Sequence, residues 1–202
     1  LTPTVSAAPV PGANPSTDGN LGIGASVALN IVDATTLAAL ADGSALTGAH
    51  NLSLSATGAG THTTTATGGA AGGIAITPVV AISISTDTVR AYLGTGSVLT
   101  LTGSLDLAAT QTVSVTTSAQ GDAIGSNAAI GAALALAVVT HRVESVVARN
   151  VTTPGLVHLG ATGATTSTTT AKASANGAPG TGGGSPTPDA QAGEQRTLGD
   201  SV

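Results

Sequence analysis

The amino-acid sequence repeats itself with a period of about 53 residues, and this repeat constrains the fold more than any other feature. Shifting the chain by 53 positions superimposes similar residues from two successive segments. The first set, Leu29, Ile31, Leu40, Gly43, Ser44, Leu46, Leu52, Leu54 and Ala56, falls on Ile82, Ile84, Leu93, Gly96, Ser97, Leu99, Leu105, Leu107 and Ala109. A fixed period in this range is typical of a solenoid, in which each unit buries its apolar face against its neighbours.

A third copy begins near Ile130, with two changes of register. Val143, Ser145 and Val147 align with Val89, Ala91 and Leu93 at a shift of 54 residues, and Gly155, Val157, Leu159 and Ala161 align with Gly103, Leu105, Leu107 and Ala109 at a shift of 52. The turn around residues 149–153 is therefore predicted to have lost two residues relative to the second copy.

Within a copy, apolar residues recur at every second position, which is the pattern of strands with one buried face. Turn-forming pairs such as Asp42-Gly43 and Pro154-Gly155 separate these strands. The sequence predicts an all-β protein, a right-handed, elongated parallel β-solenoid of three repeats of about 53 residues, each supplying two coils of about 20–29 residues. The alternative is an antiparallel β-sandwich, which would show the same alternation.

The shared register also predicts which leucines meet in the core. Leu105 and Leu107 are expected to point inward, to stack on Leu52 and Leu54 on one side, and to stack on the third copy on the other. The residues expected from the third copy are Val157 and Leu159.

The chain divides into an arm, the repeats and a tail. Residues 1–20 contain four prolines and are predicted to be an extended arm or linker, whose residues 4–6 pair along a sheet edge. Residues 21–176 form the β-solenoid, with copies at 21–73, 74–129 and 130–176. Residues 177–202 are a Gly- and Pro-rich linker or tail. Residues 128–140 could form a buried helix, although they are too few for a spanning helix of about 20 residues. Because they align with residues 22–31 and with the entry to the second copy, they are predicted to be a strand buried on both faces.

Composition excludes several classes of function. Tyr92 is the single aromatic residue, and Phe, Trp, Met and Cys are absent, which favours thin stacked layers of Val, Ile, Leu and Ala over a globule with a large central core. Charged residues make up 7% of the chain and the net charge is −5. A nucleic-acid partner requires a basic stripe, and none is present. Without cysteine, no disulfide scaffold is expected.

No residues are assigned to catalysis, to a cofactor or to a metal. His50, His62, His141 and His158 are predicted to lie on the surface, since no pair of them has ligand spacing with a third acidic or thiol ligand. The glycine clusters lack the Lys-Ser/Thr of a phosphate loop. An enzyme of the pectate-lyase type on the same fold is disfavoured, because the chain has few charges to gather in a cleft.

Two Thr-rich segments, 61–67 and 165–170, suit the exposed face of a sheet. The simpler interpretation is a solvated strand surface. The alternative is a regular array of hydroxyl and methyl groups that binds ice or a glycan, which would need Thr at the same place in every coil.

One phrase of the sequence carries a family resemblance. A long Ala/Val/Ile strand is followed by TVRAYLGTGSVLT at residues 88–100 and by GSLDLAA at residues 103–109. Over residues 21–176 this pattern resembles the degenerate repeats of giant bacterial surface and secreted proteins, the filamentous-haemagglutinin-like and large adhesin class. The resemblance implies an elongated β-solenoid stalk outside the cell, with binding placed in separate modules, and it assigns no functional residue here.

The resulting hypothesis is a non-enzymatic structural protein, a segment or subunit of an extracellular bacterial fibre or adhesin stalk at the cell surface. Its expected partner is itself or a neighbouring repeat, stacked head to tail, with the arm at residues 1–20 added as a strand to the neighbour. No membrane span is expected. The alternative function is an ice- or glycan-binding module that uses a Thr-rich β face.

Overall fold

The computed structural model describes residues 2–7 and 21–177 as an all-β molecule. The predictions for residues 8–20 and 178–202 lie outside these described residues. The strands are β1 (Thr4–Ala7), β2 (Leu21–Ile23), β3 (Ser26–Leu40), β4 (Leu52–Leu93), β5 (Leu99–Thr100), β6 (Leu105–Val147), β7 (Val151–Thr152) and β8 (Val157–Asn176).

The long strands β4 and β6 fold back on themselves and form two facing layers. A β-carbon added to Gly58 would lie 2.5 Å from a methyl group of Val89, and one added to Gly68 would lie 2.5 Å from Val79, so the two halves of β4 face each other. Residues 58 and 89 would stand roughly 100 Å apart in a straight strand at about 3.3 Å per residue. The reversal lies at residues 72–74, where the pairing with β6 also shifts by one residue.

Each turn of the chain therefore supplies one segment to each layer. The first layer consists of residues 21–40, 74–93 and 128–147, and the second layer consists of residues 4–7, 52–72, 105–125 and 157–176. The short strands β5 and β7 pair in the turns between the layers.

Every ladder between the described strands is parallel, which confirms the solenoid and excludes the antiparallel sandwich. Leu29 pairs with Ile82 and Leu52 with Leu105, so the 53-residue register is confirmed. Val147 pairs with Leu93 whereas Val151 pairs with Leu99, so the third turn has lost two residues as predicted.

The prediction of two coils per repeat is wrong. Each segment pairs with its equivalent one whole repeat away, and β3 and β8 show that a single segment runs for 15 to 20 residues. Two such segments and two connections use the whole repeat, so each repeat makes one wide coil.

Leucines fill the interior at the end of the layers next to the turns. Leu105 and Leu107 are 1% and 0% exposed and pair with Leu52 and Leu54, so their inward orientation is confirmed. On their other side they pair with Val157 and Leu159 of β8, as predicted. The remaining buried members of this cluster are Ala56, Val89, Ala91, Leu93, Leu99, Leu101 and Ala109.

The turns are stacked by side-chain bonds from one coil to the next. The predicted turn at Asp42-Gly43 is present, with Gly43 at a φ of 73° that favours glycine. The guanidinium of Arg149, which is 9% exposed, donates to the carbonyl oxygens of Ala41, Ser44, Gly94 and Thr95 in the two preceding turns. One buried side chain therefore joins the turns of all three coils.

In the half of the first layer next to the reversal, most of the large side chains point away from the interior. Residues 128–140 are a strand, but the prediction that both faces are buried is wrong, since Leu134 and Leu136 are 54% and 45% exposed. The reason lies in the close approach of the two layers near the reversal. A β-carbon on Gly24 would lie 1.9 Å from the Gly69 carbonyl oxygen. Only small residues fit between layers this close, as in the buried cluster Ala28, Ala66, Val79, Ala81 and Ala119.

A pair of leucine substitutions tests the inward and outward assignments. Leu107→Asp should lower the free energy of unfolding by about 3 kcal/mol or more, because it buries an unpaired charge and removes core packing. Leu136→Asp makes the same chemical change on the outward face and should cost about 1 kcal/mol or less. Denaturant unfolding of both variants measures the difference, and equal losses would contradict the assignment.

Candidate functional site

A band of buried polar side chains crosses the interior between the leucine cluster and the alanine cluster. The Asp87 carboxylate lies at its centre and accepts a hydrogen bond of 2.5 Å from the Ser85 hydroxyl. Nε2 of His141 lies 3.0 Å, and Nε2 of His62 3.5 Å, from the same Asp87 oxygen. The prediction that His62 and His141 lie on the surface is therefore wrong. Their side chains are 0% and 9% exposed.

Beside this cluster is a pocket of about 260 Å³, lined by the facing segments of the first two coils, including Asp87, Gln111 and Gly58. Glycine at position 58 leaves space that a larger side chain would fill. Several other polar atoms of the band have no hydrogen-bond partner, and these belong to Asn30, His62 (Nδ1), Thr64, Ser83, Gln111 and Thr117. Of these residues Gln111 lines the pocket, and a buried polar atom of this kind favours ordered water there. Within the described ranges, no three His, Cys, Asp or Glu side chains are arranged to hold a metal ion.

The other two histidines lie on the surface as predicted. His158 is 60% exposed and its Nδ1 lies 2.7 Å from an Asp106 oxygen. His50 is exposed at a turn, with its Nδ1 2.9 Å from the Thr102 hydroxyl. The structure therefore brings His62 and His141 together in the buried band, whereas His50 and His158 lie at two separate surface sites.

Strand parity is the signal in the sequence that could have placed His62 and His141. His62 is ten residues from the inward Leu52, and His141 is six residues from the inward Val147. Even separations keep a side chain on the same face of a strand. Counting residues along each strand therefore predicts that both histidine side chains point inward, although their neighbours in sequence are polar.

The outer face of the second layer carries aligned rows of hydroxyl groups. Four rows contain only Thr or Ser in all three coils, and we call them the hydroxyl face: Thr57–Thr110–Thr162, Thr61–Ser114–Thr166, Thr63–Thr116–Thr168 and Thr65–Ser118–Thr170. Hydroxyls repeat about every 6.7 Å along a strand and about every 4.8 Å between strands. One row, Ala59–Thr112–Ala164, interrupts the pattern.

The outer face of the first layer is entirely aliphatic over half of its length. Its rows form the aliphatic face: Leu21–Ile74–Ala128, Ile23–Ile76–Ile130, Val27–Val80–Leu134, Leu29–Ile82–Leu136 and Ile31–Ile84–Val138. Val27 and Ile31 are each 66% exposed. A contiguous apolar surface of this size is typical of a contact site for another apolar surface.

The stack is open at the end formed by β8. Val157 and Leu159 are 46% and 48% exposed, although the equivalent Leu105 and Leu107 of the middle coil are buried. Every residue of β8 except Gly160 is exposed. Of the described strands, only β6 pairs with β8, so no described strand covers the other edge of β8.

The turn stack holds two groups with shifted pKa values. The pKa of Asp42 lies below its ordinary value of 3.8, mainly because its carboxylate accepts the Thr95 backbone N–H at 2.6 Å, and also because it accepts the hydroxyls of Tyr92 and Thr95. The pKa of Tyr92 lies above 10.0, mainly because its hydroxyl donates to the Asp42 carboxylate. A similar bond joins the same two coils further along the chain, where the Ser104 N–H donates to the side-chain oxygen of Asn51 at 2.7 Å.

Comparisons of this chain with models of protein families, with curated proteins and with solved structures find no match. No helix in residues 2–7 or 21–177 has the length and apolar character needed to cross a membrane.

The bond between Asp42 and Tyr92 predicts how the turn stack responds to pH. The Asp42 contribution to stability is present above pH 3.8 and is lost as the pH falls through the lowered pKa. The Tyr92 contribution is present below pH 10.0 and is lost as the pH rises through the raised pKa. Asp42→Asn should move the Tyr92 pKa back toward 10.0.

Phenolate absorbance measures this change directly, since Tyr92 is the only tyrosine and no tryptophan is present. Asp33→Asn is the matched control, because Asp33 is exposed and pairs with Thr86, away from the turns. A Tyr92 titration that Asp42→Asn leaves unchanged would show that the bond is absent in solution.

Proposed function

We propose that this protein is a structural stalk element whose coils continue head to tail into a second copy or a neighbouring repeat, as part of an extracellular bacterial fibre or adhesin. The exposed inner residues of β8 carry this proposal. Val157 and Leu159 occupy positions that the middle coil buries completely. A further coil on β8 would bury them in the same way.

The opposite end of the stack offers a complementary surface. β3 pairs only with β4 among the described strands, so no described strand covers its outer edge either. The strands at both ends of a parallel stack run in the same direction, so the β8 end of one copy can pair with the β3 end of the next. Such head-to-tail contact does not close on itself. Repeated contact of this kind produces a filament.

The resemblance to giant bacterial surface proteins supports placing this role outside the cell. The composition agrees with it, because a stalk has no need of clustered charged groups and only 7% of the residues are charged.

Electron microscopy of the purified 202-residue chain tests the proposal. We expect rods or filaments in which each copy advances the axis by about 14 Å, which is three coils at about 4.8 Å. Leu159→Lys should shorten or abolish them, because it places a charge where the next coil would pack. His158→Lys is the matched control on the neighbouring outward position, where lysine retains a partner in Asp106.

Both variants should unfold at the temperature of the unmodified chain, since positions 158 and 159 are exposed in the single molecule. The proposal is wrong if the unmodified chain remains a monomer at high concentration. It is also wrong if Leu159→Lys filaments are as long as those of the control.

The hydroxyl face favours a second candidate function, which is binding to an ordered surface such as ice or a crystalline glycan. The sequence offers an uneven Thr pattern in the middle coil, but strand parity places Thr112, Ser114 and Thr116 together on the outer face. Three adjacent rows then present hydroxyls in every coil. A flat, regular lattice of this kind suits a ligand that is itself a lattice.

Thermal hysteresis and sedimentation with a crystalline polysaccharide test this second function. Thr116→Lys, in a central row, should remove most of the activity because it interrupts the flat array. Thr140→Lys makes the same change on the outer face of the first layer and should have no effect. Equal activity in the two variants, or none in the unmodified chain, would refute the function.

A further inference from the structure

The short strand β1 occupies a defined place in the second layer. Thr4–Ala7 pairs in parallel with residues 63–66 of β4, on the edge opposite β6. The sequence predicts that the arm pairs along a sheet edge, which is confirmed, and that it adds to a neighbouring subunit, whereas β1 adds to its own chain. Only four residues of the 52–72 edge have this partner.

β1 stands in the same rows as the last strand of the stack. The rows run Thr4–Thr63–Thr116–Thr168 and Ala7–Ala66–Ala119–Ala171 through all four strands of the second layer. If β8 of a second copy were placed under residues 52–66 in the register that it keeps with β6, its residues 168–171 would lie where Thr4–Ala7 lies.

The sequence of β1 also matches the segment whose place it takes. β1 reads TVSA, and the equivalent segments read TTTA at 63–66, TTSA at 116–119 and TTTA at 168–171. The first and third positions carry a hydroxyl in all four segments and the last is always Ala. The one change is Val5, which packs with Ala7 against the buried alanine cluster.

Few contacts hold β1 in this position. Besides its four-residue ladder, the Pro3 carbonyl accepts the Thr63 N–H at 3.1 Å and the Ala7 carbonyl accepts the Ser26 hydroxyl at 3.1 Å. A strand of 15 residues, pairing along the whole 52–66 edge, would form a much longer ladder than β1 does. Main-chain bonds supply most of the affinity when a strand is added to a sheet edge.

We propose that the β4 edge at residues 52–66 is a strand-acceptor site for β8 of a second copy, and that β1 is a displaceable occupant of that site. Residues 157–171 of the incoming copy align on residues 52–66, with Leu159 over Leu54 and Thr168 over Thr63. β1 must leave its four positions before the ladder is completed, so it limits assembly. The inference rests on the proposed head-to-tail function, which it deepens by naming the site and its register.

Val5→Pro tests the role of β1 in the full chain. Proline removes an N–H from the four-residue ladder and should release β1 without altering β8. Thr2→Pro is the matched control, because Thr2 is exposed and precedes the ladder. The concentration at which light scattering detects assembly should fall about tenfold in Val5→Pro, as expected when an acceptor that is about one-tenth populated becomes fully available. It should not change in Thr2→Pro.

Cross-linking tests the register, and the absence of cysteine from the sequence makes it specific. Thr65 and Thr170 of one chain are separated by two strand spacings, about 10 Å, whereas Thr65 of one copy and Thr170 of the next would be about 5 Å apart. The double variant Thr65→Cys/Thr170→Cys with a thiol reagent spanning about 5 Å should give covalent dimers and higher multimers. Adding Val5→Pro should increase their yield.

The outcomes separate this proposal from the proposed function. Filaments that form without 65–170 cross-links, or that Val5→Pro does not promote, would overturn the acceptor site and leave head-to-tail stacking intact. If no variant forms filaments, the stacking function fails, and a labelled peptide of residues 157–176 then tests the site alone. Tighter binding of this peptide to Val5→Pro than to Thr2→Pro would support the site, and equal or absent binding would overturn it.

Discussion

The structure depends on main-chain pairing between segments that lie one repeat apart. Each segment finds its partner 52 to 54 residues away, so the number of residues between equivalent strands is fixed by the ladder. Changes in that number occur only where the chain leaves the ladder: one residue is inserted opposite residues 72–74, and two are lost between Val147 and Val151. The side chains adapt to this frame. Arg149, for instance, joins the stacked turns through carbonyl oxygens that the register places within its reach.

The distance between the two layers decides which side chains lie inside. Near the turns the interior holds leucine, whereas near the reversal glycine and alanine bring the layers together. Between these regions lies the band around Asp87, where buried polar groups partly satisfy one another. Large aliphatic residues that would ordinarily be buried are therefore displaced to the outer face of the first layer.

The repeat, the parallel architecture and the leucine stack could be predicted because they depend on spacing, which a sequence displays directly. Leu105 and Leu107 recur in register with Leu52 and Leu54, and the turn residues mark the strand ends. The orientation of residues 128–140 could not be predicted from the sequence. An alternating pattern shows that the two faces of a strand differ, but it does not show which face is buried. That choice depends on Gly24 and Gly69, which meet across the layers from distant parts of the sequence. The burial of His62 was available from parity, but its contact with Asp87 required the facing geometry.

The constant separation of paired residues also determines how such a chain can acquire its structure. No ladder contact between the described strands is local, since even the short β1 pairs Thr4 with Thr63. The first ladder therefore requires closing a loop of about 53 residues before any bond repays the lost entropy. Once one coil exists, its edge is a template of fixed register, and the next segment has only to extend along it. The slow event in folding is therefore the formation of the first coil, and the time needed for each later coil is independent of how many came before.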